Sequence, residues 1–341
     1  MVSSSRPAHI GAARALNARR YSGGAPAEVV EDGPGIAGRL AWLGARLTIR
    51  PTLAIASHIP LLPWPWGLVD WASRMLPPIP GTVRATIKLT HCTAQVVRAK
   101  GVLPADGTHR VILYLHGGAF LTCGSNSHSR LTTMLSNYAD SPVLVLNYRM
   151  IPKHTIGEAV DDCYDGYEWL RDLGYQPDQI VLAGDSAGGY LALAERLLDE
   201  GEQPAALVSL SPLMQLDMEP KKAHQNVRRD ALFPPKALDA LVQLIARAGA
   251  RRTVGDEPAG VYEPLDHVEP GLPPTLIHVS GSEVLLHDAQ LTAHRLAAAA
   301  VPAQVCVWPG QMHVFQICAP LIPEAVRSLR QIGQYIREAT G

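Results

Sequence analysis

The segment Gly184-Asp185-Ser186-Ala187-Gly188-Gly189 has the residue types of a nucleophile elbow. A serine hydroxyl attacks a carbonyl only when it projects from a sharp turn and a base can take its proton. Small residues on both sides allow that turn, because a Cβ there would strike the neighbouring strand and helix. By residue usage alone a GxSxG arises in about one chain in ten of this length, so context must decide. Here the apolar run Ile180–Ala183 leads directly into the motif, and a good helical stretch, Tyr190–Leu198, follows it. Strand, turn and helix in that order is the setting the chemistry needs.

A second segment, His116-Gly117-Gly118-Ala119-Phe120, follows another apolar run, Val111–Leu115. Acyl transfer passes through a tetrahedral oxyanion, and adjacent unblocked backbone N–H groups can converge on it. The expected donors are Gly117 and Gly118, joined by Ala187 immediately after the nucleophile. A third signal is the late pair Glu283 and His313. Glu283 lies three residues beyond the apolar run ending at Ser280, and His313 lies five beyond the one ending at Trp308. Serine, acid and histidine thus occur in the chain order of a hydrolase triad. Asp288 follows the same strand and is the competing acid, but its place at the start of a helical pattern suits a first-turn carboxylate interacting with the helix dipole. Asp185 reads as a supporting residue rather than a reacting one.

These residues need a scaffold that brings strand ends together. Val111–His116, Pro142–Asn147, Ile180–Gly184, Ala205–Ser211, Thr275–Ser280 and Gln304–Trp308 read as buried strands. Between them lie helical periods, among them Leu286–Ala300 and the face Val326, Leu329, Ile332, Gly333 and Ile336. Alternation of this kind predicts an α/β fold, a mainly parallel sheet flanked by helices. Two regions break the alternation. Residues 1–90 hold many prolines and four tryptophans, Trp42, Trp64, Trp66 and Trp71. Residues 213–270 carry one helical pattern at Leu238, Leu241, Val242 and Ile245. The expected organisation is therefore a catalytic domain of residues 91–212 and 271–341, with an arm and cap contribution from 1–90 and a cap insert at 213–270. Such a cap would cover the edge where open α/β sheets bind ligands.

HGGAF, GDSAGG and the closing Glu283–His313 pair together resemble the hormone-sensitive-lipase family of α/β hydrolases. Asn147-Tyr148-Arg149-Met150-Ile151-Pro152 is similar to that family's YRLAPE segment, and Ala159-Val160-Asp161-Asp162 follows on the next helix. The likeness spans residues 105–340. It implies an α/β-hydrolase fold whose helical cap comes from the N-terminal region and the insert after the sixth strand. It also implies a carboxylester hydrolase that uses no cofactor and acts on short to medium acyl chains. Three departures stand out: Lys153 where the family has Glu, Glu283 in place of Asp, and His313-Val314-Phe315 in place of HGF. Glu can serve as the triad acid. An amidase or deacetylase on the same triad is the alternative activity, and a lipase acting at a membrane is another. A hormone receptor of plant type, which resembles this family but lacks the histidine, is disfavoured by His313.

Composition sets the remaining bounds. A chain of 341 residues with 47% apolar and 18% charged residues can build a large packed core without a staple. A net charge of −1 suggests no nucleic-acid partner. The five cysteines show neither metal spacing nor an even framework, so they read as reduced thiols and no metal site is expected. The first 27 residues contain Arg6, Arg14, Arg19 and Arg20 and no acid, and read as a mobile or partly helical arm rather than a transit peptide. Prolines at 60, 63 and 65 interrupt the most apolar stretch, Leu53–Val69, before it reaches membrane-spanning length. The expected partner is a small acyl ester, the expected location cytoplasmic. Peripheral contact with lipid and a homodimer are the further associations this reading leaves open.

Overall fold

A computed structural model describes residues 25–194, 203–250 and 263–341, with the backbone of 253–254 and 257–258. Residues 1–24 of the N-terminal arm, expected over the first 27, and the end of the helix read as Tyr190–Leu198 lie outside the described residues, and Ala27 already opens a strand. The framework is a sheet of nine strands: β1 (Ala27–Val30), β2 (Val83–Lys88), β3 (Thr93–Arg98), β4 (Val111–Leu115), β5 (Val143–Asn147), β6 (Ile180–Asp185), β7 (Ala206–Leu210), β8 (Thr275–Ser280) and β9 (Ala303–Trp308). Their order across the sheet is β1-β9-β8-β7-β6-β4-β5-β3-β2. All pairings from β1 to β5 are parallel. Only β3 against β5 and β2 against β3 are antiparallel.

The central strands are buried along their whole length, as VILYL of β4 and IVLAGD of β6 show. A strand covered on both faces can be apolar at every position. Successive side chains still divide between two cores. Leu113, Leu115, Leu144, Leu146 and Leu182 join one cluster, while Ile112, Tyr114, Val143, Val145 and Val181 join the other. The first core is closed by α4 (Ile156–Asp172) and α5 (Ala187–Leu193), the second by α3 (Ser129–Ala139) and α9 (Pro323–Thr340). The face read for α9 is buried through Leu329, Ile332, Gly333 and Ile336. A reciprocal capping box starts α4: Thr155 Oγ1 accepts from the Glu158 amide at 3.2 Å, and Glu158 Oε2 accepts from the Thr155 amide at 2.8 Å.

Residues 1–90 do more than extend the sheet region from outside. Both edge strands, β1 and β2, come from this segment, with β1 paired in parallel with β9 through Val29↔Cys306. Sequence pattern did not reveal β1, because its four residues, AEVV, are largely exposed and have no buried face to produce alternation. Between the edges run α1 (Ile36–Ala56) and α2 (Gly67–Ser73). The insert after β7 holds α6 (Glu219–Ala223) and α7 (Pro235–Gly249). Helix α1 packs on α7, and Arg50 ties them further: its guanidinium donates to the carbonyls of Asp230 at 2.8 Å and Phe233 at 2.7 Å. Helix α8 (Leu286–Ala298) lies between β8 and β9 in the chain and packs on both.

Candidate active site

Because β4, β6, β7, β8 and β9 are parallel, the residues after them gather at one sheet edge. Ser186 follows β6 with φ 52° and ψ −119°, a left-side conformation that a residue with a Cβ adopts only when its surroundings enforce it. The turn is pinned by backbone bonds: the Ser186 amide donates to Leu210 O at 2.9 Å, and its carbonyl accepts from Gly189 at 2.9 Å and Leu213 at 3.0 Å. Gly188 is required by space, since a Cβ there would lie 1.8 Å from Leu115 O. Ala187 opens α5, so its N–H has no acceptor within that helix.

The loop after β4 lies against this turn. A Cβ on Gly117 would stand 3.0 Å from Ser186 Cβ. Its amide, however, is already used: Gly117 N–H donates to Asp185 Oδ1 at 3.0 Å. The amide expected from the motif as an oxyanion donor is thus engaged by Asp185 in this structure. The loop continues through Gly118 (φ 109°) and Ala119 (φ 55°), and neither amide donates to any acceptor among the described residues. These two N–H groups, like that of Ala187, are without an acceptor among the described residues.

Asp185 accounts for this arrangement. Its carboxylate is buried and accepts from Tyr114 Oη at 2.8 Å as well as from Gly117, and it pairs with His128 Nε2 at 3.1 Å. Burial opposes its ionisation, but the His128 charge and these donors hold its pKa below the usual carboxylate value. Burial likewise disfavours the charged His128, and Asp185 overcomes that to raise its pKa. Tyr148 of the YRLAPE-like segment donates to His116 O at 2.6 Å and stacks on the His116 ring with centroids 4.3 Å apart. Arg149 binds Asp162 of α4, with Nη2 and Oδ1 2.8 Å apart. Tyr148 and Arg149 thus fasten the end of β5 to the loop after β4 and to α4.

Glu283 and His313 meet directly through Glu283 Oε2 and His313 Nδ1. A carboxylate can only accept, so Nδ1 carries the proton toward Glu283. Glu283 is 1% exposed and His313 7%, and Phe233 of the insert meets the imidazole edge-on at 4.8 Å. Burial works to lower the His313 pKa, but the Glu283 carboxylate prevails and raises it. The other Glu283 oxygen accepts from Ser211 Oγ at 2.6 Å and the Ser280 amide at 2.8 Å. Ser211 Oγ in turn accepts from the amide of Val314, next to His313, at 3.1 Å. One hydroxyl therefore braces both the acid and the loop of the base. Its position at the end of β7 was a usable signal, but nothing in Leu210-Ser211-Pro212 marks its partner.

Asp288, the competing acid, is committed elsewhere. It is fully buried, pairs with the fully buried Lys221 Nζ at 3.0 Å and accepts from the Met214 amide at 2.8 Å. Burial raises its pKa despite Lys221. It locks α8 to α6 of the insert. Two further insert residues, Asn226 and Asp230, grip the loop that carries Glu283. Asn226 Nδ2 donates to Gly281 O at 2.9 Å and Glu283 O at 3.0 Å, and Asp230 Oδ2 accepts from the Val284 amide at 2.9 Å. No local pattern in the sequence pointed to either residue.

Beside the site, an apolar cavity of about 80 Å³ lies between α1, α7 and the loop after β4, lined among others by Leu53, Trp66, Ala119, Phe233 and Leu244. A larger polar cavity of about 460 Å³, at His91, Arg149, Lys153 and Glu158, touches none of the candidate residues. The smaller one is the relevant one, because Ala119 and Phe233 link it to the donor loop and to His313.

Comparison with known proteins gives the family. A family model described as the alpha/beta hydrolase fold matches residues 112–317. The esterase LipU of Mycobacterium tuberculosis is 66% identical over 297 residues, which is 86% of this chain and 100% of the relative. The carboxylesterase/phospholipase LipF of the same organism is 60% identical over 319 residues, 93% of this chain and 86% of the relative. A crystal structure of an esterase from the bacterial hormone-sensitive lipase family superposes with a TM-score of 0.71 at 26% identity, covering 100% of both chains. With its elbow, donor loop and late acid–histidine pair on that fold, the chain belongs to the hormone-sensitive-lipase family of α/β hydrolases and is a carboxylester hydrolase.

Proposed function

We propose that the enzyme cleaves short- to medium-chain acyl esters through an acyl-enzyme on Ser186. His313 Nε2 takes the Ser186 proton as Oγ attacks the ester carbonyl, and Glu283 stabilises the resulting imidazolium. The amides of Gly118, Ala119 and Ala187 bind the oxyanion. The imidazolium then protonates the departing alcohol, and water repeats the sequence on the acyl-enzyme to release the acid. The observation that carries this reading is the pairing of a strained Ser186 at the elbow with a His313 already oriented by a buried Glu283.

The acyl range is supported by the size of the apolar cavity beside the donor loop, far below the roughly 300–1,000 Å³ of pockets that take drug-sized ligands. Residues 213–270 and the helical part of 1–90 act in this reading as the cap that shapes it. A cytoplasmic enzyme with peripheral access to lipid, working as a monomer or homodimer on a small ester, fits the same chemistry. The test is a rate profile over p-nitrophenyl esters of increasing chain length, with matched anilides as the amide arm and Ser186→Ala as control. Butyrate-range esters should turn over fastest, and a fluorophosphonate probe should label the native enzyme only. Labelling of Ser186→Ala would move the nucleophile elsewhere, and faster anilide than ester cleavage would make the enzyme an amidase.

A further inference from the structure

Helix α1 is amphipathic in an unusual sense. Its inward face is built of small residues, with Gly38, Ala45 and Ala56 buried. Its outward face carries Ile36, Leu40, Leu43 and Leu47, spaced i, i+4, i+7 and i+11, and all four are exposed, Leu47 at 67%. A soluble helix places those residues inward. The pattern continues past α1. Ile59, Leu61, Leu62, Leu68, Trp71 and Met75 are exposed as well, the last at 81%, and α2 has no buried residue. Isolated exposed apolar residues need no explanation, whereas a run of this extent on one segment marks an interaction surface.

Charge indicates the partner. Residues 36–75 contain four arginines against one acid, Asp70, and of the four, Arg46 and Arg50 donate to carbonyls of the insert. That acid is turned inward: its carboxylate accepts from the Asn126 and Ser127 amides at 3.1 and 2.9 Å and from Asn126 Nδ2 at 2.6 Å. Exposed Arg39 borders the α1 stripe, and exposed Arg74 stands between α2 and Met75. An apolar face edged by cations suits an anionic lipid surface. A second copy would bring the same cations against themselves across a two-fold interface. Among the described residues no helix is long and apolar enough to cross a membrane, so contact would be peripheral.

The patch also connects to the site. Trp66 and Pro60 line the apolar cavity, and Thr122 Oγ1 of the donor-loop region donates to Trp66 O at 2.8 Å. We infer that α1, α2 and the segment between them form a docking surface for anionic phospholipid bilayers, placing the mouth of the acyl cavity at the lipid interface. The link to the cavity rests on the esterase reading, while the docking itself does not.

The test is co-sedimentation of the full chain with phosphatidylglycerol or phosphatidylcholine vesicles at low and high salt. Parallel measurements are p-nitrophenyl butyrate turnover in solution and sedimentation velocity without lipid. The native chain should bind phosphatidylglycerol vesicles, prefer them over phosphatidylcholine by at least about tenfold, and lose that preference in high salt. Replacing Leu40, Leu43 and Leu47 with Ser should lower binding by about tenfold or more while soluble butyrate turnover is retained. Arg39→Gln with Arg74→Gln, which touches no apolar contact, should lower it by roughly fivefold per residue. Equal binding to both lipids, unaltered binding by both variants, or a dimer that the leucine variant dissolves in the absence of vesicle binding would each overturn the proposal. Vesicle binding with no butyrate turnover would instead count against the esterase reading alone.

Discussion

Asp230 accepts a hydrogen bond from the backbone of Val284, 2.9 Å away and 54 residues along the chain, so the insert holds the residue next to Glu283. The same carboxylate accepts from Leu232 at 2.7 Å and Phe233 at 2.8 Å, and the Asp230 carbonyl accepts from Arg46 and Arg50 of α1. One buried residue therefore joins the N-terminal helix, the insert and the acid loop. Burial raises its pKa, with Glu283 adding to the effect, and the three amides work against both.

Asp230→Asn should loosen this joint. An amide group offers one accepting oxygen, and its NH₂ would face donors where the carboxylate accepted. Urea unfolding should show a loss of about 1–3 kcal/mol, the cost of unsatisfied buried donors. The kcat for a soluble ester should fall by roughly tenfold, because the acid loop is no longer held. Unchanged turnover with reduced stability would limit Asp230 to a structural role.

Glu283 and Asp288 should separate cleanly by what is measured. Glu283→Gln should keep the fold and lower kcat by about 10³–10⁴, since the imidazole loses the partner that orients it. Asp288→Asn leaves Lys221 charged and buried without its counterion, so its effect should be on stability, by about 3–5 kcal/mol. The loss expected from a first-turn dipole interaction alone would be about 0.3–1 kcal/mol. Comparing kcat at a temperature where both variants are folded decides between the two carboxylates.

The pH profile should report His313. The base must be neutral to accept the serine proton, so kcat/KM should fall as pH drops through a pKa lying above 6.5. In Glu283→Gln burial is opposed only by the Asp230 and Asp185 charges, and the acid limb should move to lower pH. Stability carries the opposite dependence. A histidine whose folded pKa is raised contributes stability fully below its unfolded value of 6.5, and loses it as pH rises through the folded pKa. The stability difference between native enzyme and Glu283→Gln should therefore be larger at pH 5.5 than at pH 9. A difference that grows with pH would contradict the protonated His313–Glu283 pair.

Leu244 closes one side of the apolar cavity and is 7% exposed. Leu244→Ala should shift the preferred acyl chain toward longer esters, by about two carbons, at a cost of roughly 2–5 kcal/mol in stability. The ratio of octanoate to butyrate kcat/KM measures the shift. A uniform loss over all chain lengths would place the acyl chain outside this cavity.

The chemistry of this protein was legible in its sequence wherever it depends on local backbone. Ser186 needs small neighbours at its own turn, the central strands are apolar because both faces are covered, and the order of Ser186, Glu283 and His313 follows from which strand each one ends. What the tertiary structure decided is how those pieces are held. The HGGAF motif identified the donor loop but not which amides remain free, because Gly117 is claimed by Asp185 from β6. Ser211 reaches Val314 across 103 residues, and Asp230 reaches Val284 across 54, with no periodicity to mark either pair. Asp288 looks like a helix-start carboxylate until Lys221 is seen buried against it. Strand β1 is too short and too exposed to leave a pattern, and exists through its pairing with β9. Periodicity and turn chemistry record what a segment requires of its own backbone. A hydrogen bond between distant segments leaves no such record, since either partner alone is an ordinary polar residue.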